Sequence, residues 1–293
     1  MILWLYILVR IVANPFSNVF QKLLTRQAAH PLFIICAAHG LLSIACLPIF
    51  LFRLPLLPSE FWLDMTLCTI LTVSGNVFIV QAVKRSDLSV LGPINAYKSV
   101  VSLIPGIIWL NEAPESMGLA GIVLIVAGSY GLVDKDPEKP AKSAFLRFFK
   151  DRGIRYRFAA LIISAVEAVV MKKALLLSDA LTVFAFWSVF GFGLSLMAVL
   201  LFLGGRRLIH EIAVLRTHWT TYLMLGITTG LMQLSTAFIL EGFQVGYALA
   251  LFQTSTIISV LLGWRFFRER NILKRLAGSI VMVFGACLII LSK

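Results

Sequence analysis

The stretch 109–133, WLNEAPESMGLAGIVLIVAGSYGLV, returns in altered form at 267–290 as FRERNILKRLAGSIVMVFGACLII. Each copy begins at the end of an apolar run and carries an acidic residue, Glu112 or Glu269. Each then continues into a second apolar run that contains small residues. Because a recurring pattern indicates an architecture built from similar units, we expect two halves with the same order of elements.

The correspondence extends outward from these two stretches in both directions. Laying 89–133 on 246–290 without gaps aligns a set of identical residues, and a looser match relates 22–40 to 173–191. The first alignment pairs Ser102/Ser259, Gly106/Gly263, Glu112/Glu269, Leu119/Leu276, Ala120/Ala277, Gly121/Gly278, Val126/Val283 and Gly128/Gly285. Such a shared order across most of each half indicates an internal repeat.

The composition places the chain in a membrane. Hydrophobic residues make up 59% of 293 residues and charged residues 14%, whereas soluble domains carry about 25% charged residues. A membrane-spanning helix needs about 20 mostly apolar residues, and ten runs meet this length. These runs are 2–24, 31–52, 61–83, 87–110, 116–133, 158–177, 180–203, 219–240, 246–266 and 274–292. Since backbone amides in hydrocarbon must be paired internally, the sequence predicts an all-α polytopic membrane protein with ten transmembrane helices.

The ten spans divide into a first repeat at 1–133, a basic hydrophilic linker at 134–157 and a second repeat at 158–293. Each repeat has five spans, so the second repeat enters the membrane from the opposite side and the halves are inverted. Inverted repeats create two related conformations, each open to one side, around a site near the bilayer midplane. This arrangement favours a transporter over a membrane enzyme.

The two stretches of the opening alignment resemble EamA-type domains of the drug/metabolite transporter superfamily, with an acidic residue, a short turn and a Gly-containing helix. The first copy departs from the pattern, because Ala113 follows Glu112 where a basic residue is usual, as Arg270 is after Glu269. The resemblance implies a secondary exporter or exchanger of small polar metabolites such as amino acids or organic anions. A flippase for a lipid or lipid-linked sugar on the same fold is the alternative.

Other classes of function lack their signatures in the sequence. There is no P-loop, HExxH motif, DxxD-type cluster or nucleophile elbow, so we expect neither an ATPase nor another enzyme. The four cysteines lie in apolar runs without metal-ligand spacing, and no cofactor is expected. Most basic residues lie between apolar runs, which argues against nucleic acid as a partner. The expected partners are a small-molecule substrate and membrane lipids, with the chain a monomer or homodimer.

Two ionisable residues lie near the centres of predicted spans, Lys98 in the fourth and Glu167 in the sixth. Charges at this depth are costly and usually face a cavity or a partner. One hypothesis is a structural ion pair between the halves. The other is that Lys98 binds an anionic or zwitterionic substrate group, with Glu167 as its counter-ion, the partner of a substrate amine, or a proton carrier that couples transport to protons.

Polar residues at helical spacing extend this candidate site. They are Asn14 and Asn18 on the first span, Asn95 and Ser102 beside Lys98, Gln233 on the eighth span, and Gln253 and Ser259 on the ninth. His39 is expected to be a hydrogen-bonded packing residue. Lys22, Lys172 and Lys173 lie near span ends, where lysine side chains usually extend to the interface.

The distribution of positive charge predicts the orientation. Most of the 26 Lys and Arg residues lie in connections that follow odd-numbered spans, whereas connections after even-numbered spans contain Arg53 alone. The positive-inside bias places the odd-numbered connections in the cytoplasm and both termini outside, although the resemblance implies cytoplasmic termini. The expected location is the plasma membrane, as a multi-pass protein of a bacterial inner membrane.

Overall fold

The computed structural model describes residues 2–52, 56–95, 97–111, 116–129, 150–269 and 272–291. These residues form thirteen helices. They are α1 (Ile2–Arg26), α2 (Pro31–Phe52), α3 (Ser59–Arg85), α4 (Leu88–Ile94), α5 (Tyr97–Leu110), α6 (Ser116–Ser129), α7 (Arg152–Leu176), α8 (Ala180–Phe202), α9 (Gly205–Thr217), α10 (Trp219–Gly242), α11 (Val245–Phe252), α12 (Ser255–Phe267) and α13 (Ile272–Leu291).

These helices confirm the prediction of an all-α polytopic membrane protein. Helices α1, α2, α3, α8 and α10 are each long and apolar enough to cross a membrane, and α5, α6 and α12 are shorter apolar helices. Within the described residues, the first half supplies α1, α2, α3, α4 with α5, and α6. The second half supplies α7, α8, α10, α11 with α12, and α13, while α9 occupies the connection between α8 and α10.

Two predicted spans are split instead of continuous. The run 87–110 is interrupted after Ile94, and the run 246–266 is interrupted after Phe252. The two breaks lie at matching positions of the repeat. Around the second break, side chains take over backbone pairing, since Gln253 Nε2 donates to Leu249 O at 2.6 Å and Thr256 Oγ1 donates to Gln253 O at 2.6 Å. Broken helices at membrane depth are stable where they are enclosed by protein or line a cavity.

The packing of the helices has the symmetry of an inverted repeat. Helix α1 packs on α10 and α3 packs on α7, which are equivalent contacts once the halves are exchanged. Helices α2 and α8 pair with each other, as do α6 and α13. In the broken spans, α4 contacts α12 and α5 contacts α11, so the first part of one span meets the second part of the other. The two spans therefore run antiparallel, which confirms the inversion.

Glycines bring α6 and α13 into backbone contact. A Cβ atom at Gly128 would lie 2.9 Å from the carbonyl oxygen of Gly278. A Cβ atom at Gly285 would lie 2.5 Å from the carbonyl oxygen of Gly121. Both separations are too short for a side chain, so these positions require glycine for the helices to approach this closely.

Helix α7 begins at Arg152, six residues before the start of the predicted span. Asp151 caps it, because its Oδ1 atom accepts a hydrogen bond from the Ile154 amide at 2.9 Å. Residues 152–157 of the predicted linker are therefore helical. This places Arg157 on a helix inside the bundle.

Candidate functional site

A polar cavity lies between the two halves, and we call it the central chamber. Its walls come from α1, α3, α5 and the break between α4 and α5 in the first half. The second half contributes α7, α8, α10 and α11. Asparagine, glutamine and threonine side chains make up much of the lining.

Six of the nine residues that the sequence indicated are lining residues of the central chamber. They are Lys98, Glu167, Asn14, Asn18, Asn95 and Gln233. They come from four helices, α1, α5, α7 and α10, and from the break between α4 and α5, all of which meet at the interface of the halves.

The other three indicated residues lie beside the chamber. Ser102 is buried and donates to the carbonyl of Ser99 at 2.8 Å. Ser259 lines a small pocket that it shares with Asn18 and Arg157. Gln253 is fully buried at the second break, and its Oε1 atom has no hydrogen-bond partner among the described residues. These three side chains pack the walls of the chamber.

Lys98 is the second residue of α5, immediately after the break in its span. Its amide donates to the carbonyl of Asn95 at 2.9 Å, which closes the first turn of the helix. Its half-buried side chain faces the chamber, and no direct ion pair joins it to Glu167 in the described part of the chain. The Lys98 ammonium is therefore available to a molecule in the chamber.

Glu167 is held by a chain of neutral hydrogen bonds. Thr72 Oγ1 donates to Glu167 Oε1 at 2.8 Å, and Trp187 Nε1 donates to Thr72 Oγ1 at 2.9 Å. This chain fixes the carboxylate against the wall formed by α3 and α8. From there the carboxylate interacts electrostatically with Lys98 and Arg10 across the chamber.

Arg10 is a lining residue that the sequence analysis did not single out. Its Nε atom donates to Thr236 Oγ1 at 2.7 Å, and its guanidinium carbon lies 4.4 Å from the centre of the Phe252 ring. The side chain is 7% exposed, and its Nη1 atom is buried without a partner in the described residues. The rule that selected Lys98, a charge inside an apolar run, also applies to Arg10.

Arg157 is the second lining residue that was not singled out, because the linker was expected to continue through it. It is 5% exposed, and its Nε atom donates to the carbonyl of Leu91 at 3.1 Å. It lines both the central chamber and the small pocket that contains Asn18. The charged lining residues are therefore three cations, Arg10, Lys98 and Arg157, and one carboxylate, Glu167.

A buried network, which we call the Lys22 seal, lies at one end of the bundle. Lys22 Nζ lies 2.9 Å from Glu269 Oε1 and donates to the carbonyl of Ser86 at 3.1 Å. The Glu269 carboxylate also accepts from the amides of Leu88 and Ser89, each at 2.8 Å, and so caps α4. The expectation that Lys22 extends to the interface is wrong, because Glu269 gives it an internal partner.

Lys172 and Lys173 lie at the other end of the bundle. Lys172 Nζ donates to the carbonyls of Leu240 and Phe243 at the end of α10, so it too binds protein instead of reaching the interface. Lys173 Nζ pairs with Asp64 Oδ1 at 3.1 Å. Glu112, the repeat partner of Glu269, lies outside the described residues.

His39 packs beside the chamber wall. Its ring centre lies 4.4 Å from that of Trp187, and its Nδ1 atom has no hydrogen-bond partner among the described residues. The ring is close to Gly191, where any larger residue would collide with it. Packing is therefore what the structure shows of His39. The described residues also contain no group of His, Cys, Asp and Glu side chains suited to hold a metal ion.

Comparisons with known proteins give one family and one fold. A family model described as "EamA-like transporter family" matches residues 2–133 and 151–291. A solved structure described only as "Crystal structure of protein" is similar over 97% of this chain and 94% of that chain, with a TM-score of 0.66 and 14% identity. That likeness shows the fold alone. No curated protein matches the chain significantly.

Proposed function

The chain belongs to the EamA-like transporter family, and on that premise we propose that it is a secondary transporter of small polar metabolites, such as amino acids or organic anions. The observation that carries this proposal is the central chamber, where Lys98 and Glu167 line one cavity between inverted halves without a direct ion pair among the described residues. Charged residues inside a membrane are costly, and they are typical of the path that a polar substrate takes.

The mechanism that we propose is alternating access. Rocking of one half against the other would expose the chamber first to one side of the membrane and then to the other. The Lys22 seal would close one end while substrate enters from the opposite end. The breaks between α4 and α5 and between α11 and α12 supply the points at which the two antiparallel spans can bend.

The energy source in this proposal is a solute or proton gradient. Glu167 is the candidate proton carrier, because it is the carboxylate of the chamber and its oxygen is bound by a neutral hydroxyl, that of Thr72. If protons are coupled, an imposed pH gradient should drive uptake into liposomes above the rate at equal pH, and Glu167→Gln should abolish that difference.

The test of the proposal is solute exchange in proteoliposomes. Lys98→Ala and Glu167→Gln, made separately and together, should each reduce exchange of a charged substrate at least about tenfold while the purified protein remains monodisperse. Arg206→Ala is the matched control, because Arg206 is exposed on α9 away from the chamber. Normal exchange by both chamber variants would contradict the proposed site.

The orientation that we propose follows the charge distribution, with odd-numbered connections in the cytoplasm of a plasma membrane and both termini outside. Single cysteines at Ser143 and Lys293 report the two sides. In intact cells, an impermeant thiol reagent should label Lys293→Cys but not Ser143→Cys until the cells are permeabilised. A labelled Ser143→Cys with a protected Lys293→Cys would reverse the orientation.

A further inference from the structure

We infer that the substrate of the central chamber is a short-chain molecule with two acidic groups, a dianion. This inference rests on the proposed function, because it names the substrate class of the same site. Three cations and one carboxylate line the described chamber, so with all four ionised the chamber carries two more positive than negative charges. A dianion would neutralise it.

The excess of positive charge in the chamber is unfavourable because two of the cations are buried. Arg10 and Arg157 are 7% and 5% exposed, so neither is fully solvated by bulk water. A buried charge without compensation is unfavourable, and the favourable solution is a paired, hydrogen-bonded ion. Glu167 can compensate one of the cations, which leaves two positive charges to be matched by a ligand.

The guanidinium groups retain hydrogen-bonding capacity for such a ligand. Arg10 uses its Nε atom on Thr236, and its buried Nη1 atom has no partner in the described structure. Arg157 uses its Nε atom on the carbonyl of Leu91. A guanidinium presents several donors in a fixed plane, which suits the two oxygens of a carboxylate.

The cations are distributed along the chamber instead of being clustered at one point. Arg10 and Asn18 are eight residues apart on α1, about 12 Å along the helix axis. Arg157 shares the small adjoining pocket with Asn18, so it lies toward that end of the chamber. Lys98 lines the same chamber and is close enough to both arginines to interact with them electrostatically. This spread favours two separated acidic groups over one doubly charged group.

In the resulting arrangement, one acidic group contacts Arg157 and the other is shared by Lys98 and Arg10. The amide side chains of Asn18 and Asn95 also line the chamber and offer neutral hydrogen bonds to the ligand. Glu167 stays bound to Thr72, which keeps its carboxylate at the wall.

The experiment is counterflow in proteoliposomes with a matched series of four-carbon solutes: a dicarboxylate, its monoamide, the monocarboxylate and the neutral diamide. Inorganic phosphate and a zwitterionic amino acid complete the set. We expect the dicarboxylate to exchange about tenfold or more faster than the monoamide, because one charge-assisted contact is worth at least that factor. Arg157→Gln should remove this preference, and Arg206→Gln on α9 should retain it.

The outcomes separate the two proposals. Exchange of the amino acid or the diamide with none of the dicarboxylate would overturn the dianion and leave the transporter intact. Preference for phosphate over the dicarboxylate would overturn the separated acidic groups. Exchange of none of these solutes by folded protein would contradict both proposals. If Arg157→Gln does not fold, thermal melting of the unmodified protein replaces the exchange measurement. The dicarboxylate must then raise the melting temperature more than the monoamide does.

Discussion

Lys22 and Lys173 occupy matching positions in the two halves, yet they lie in different environments at opposite ends of the bundle. The Lys22 side chain is 11% exposed and its partner Glu269 is 3% exposed. The Lys173 side chain is 44% exposed and its partner Asp64 is 11% exposed. The same local sequence therefore produces an ion pair with two buried partners in one half and an ion pair with a half-exposed lysine in the other.

The two ion pairs differ in how many other groups they contact. Glu269 binds two backbone amides of α4 besides Lys22, and so it joins α1, α4 and the end of α12. Asp64 and Lys173 join α3 to α7 by a single contact. In the alternating-access cycle proposed above, the two ends would exchange environments, and the more extensively bonded Lys22 end would be the closed one.

The largest effect is expected from removal of Glu269. Glu269→Ala leaves Lys22 buried without its partner and removes the cap of α4, so we expect a loss of about 3–5 kcal/mol in unfolding free energy. Denaturant unfolding in detergent measures it. Asp64→Ala is the matched change at the other end, and an equal loss in the two variants would remove the distinction between the ends.

An intermediate change in stability is expected when pH alters the charge of Glu269 in the Lys22 seal. Burial acts to raise the pKa of Glu269, but Lys22 and the hydrogen bonds from Ser89 outweigh it and lower the pKa below its ordinary value. The carboxylate therefore stabilises the protein above the unfolded pKa, and this stability is lost as pH falls through the lowered folded value.

Lys22→Met should reverse this pH dependence. Without the lysine, burial dominates and raises the pKa of Glu269, so the protonated form is favoured in the folded state. The melting temperature of the variant should then rise as pH falls from about 7 to about 5, where that of the unmodified protein stays level. Parallel profiles for the two proteins would show that Lys22 does not control the carboxyl group.

The smallest change in stability is expected at the pair formed by Asp64 and Lys173. Asp64→Asn keeps the size of the side chain and removes one charge from a contact in which Lys173 is nearly half exposed. Exposed ion pairs contribute about 0–1 kcal/mol, so the unfolding free energy should change by no more than that. A loss as large as that of Glu269→Ala would mean that this end is sealed as well.

Local signals in the sequence were sufficient for the spans and for part of the chamber. Lys98 and Glu167 are charges within apolar runs, and Asn14 and Asn18 share one face of a helix. Both pairs could therefore be predicted as site residues without knowledge of how the helices pack. The inversion of the halves followed from an odd number of spans in each. These features depend on residues that are near one another in the chain.

The missed features depend on contacts between distant residues or on exact helix ends. Glu269 is 247 residues from Lys22, so nothing near Lys22 indicated a buried partner. Arg157 follows basic residues that resemble a linker, and its place in the chamber depends on where α7 begins. The position of Thr72 beside Glu167 depends on the packing of α3 against α7.

The most direct test of a wet, charged chamber between the halves is the aqueous accessibility of Lys98. Cys36, Cys46, Cys68 and Cys287 are first replaced by alanine, and single cysteines are introduced at Lys98 and at Ile108, which is 70% exposed on the outer face of α5. A charged, water-soluble thiol reagent should label Lys98→Cys and leave Ile108→Cys unmodified in liposomes. Labelling of Ile108→Cys with a protected Lys98→Cys would place Lys98 against lipid and contradict the chamber.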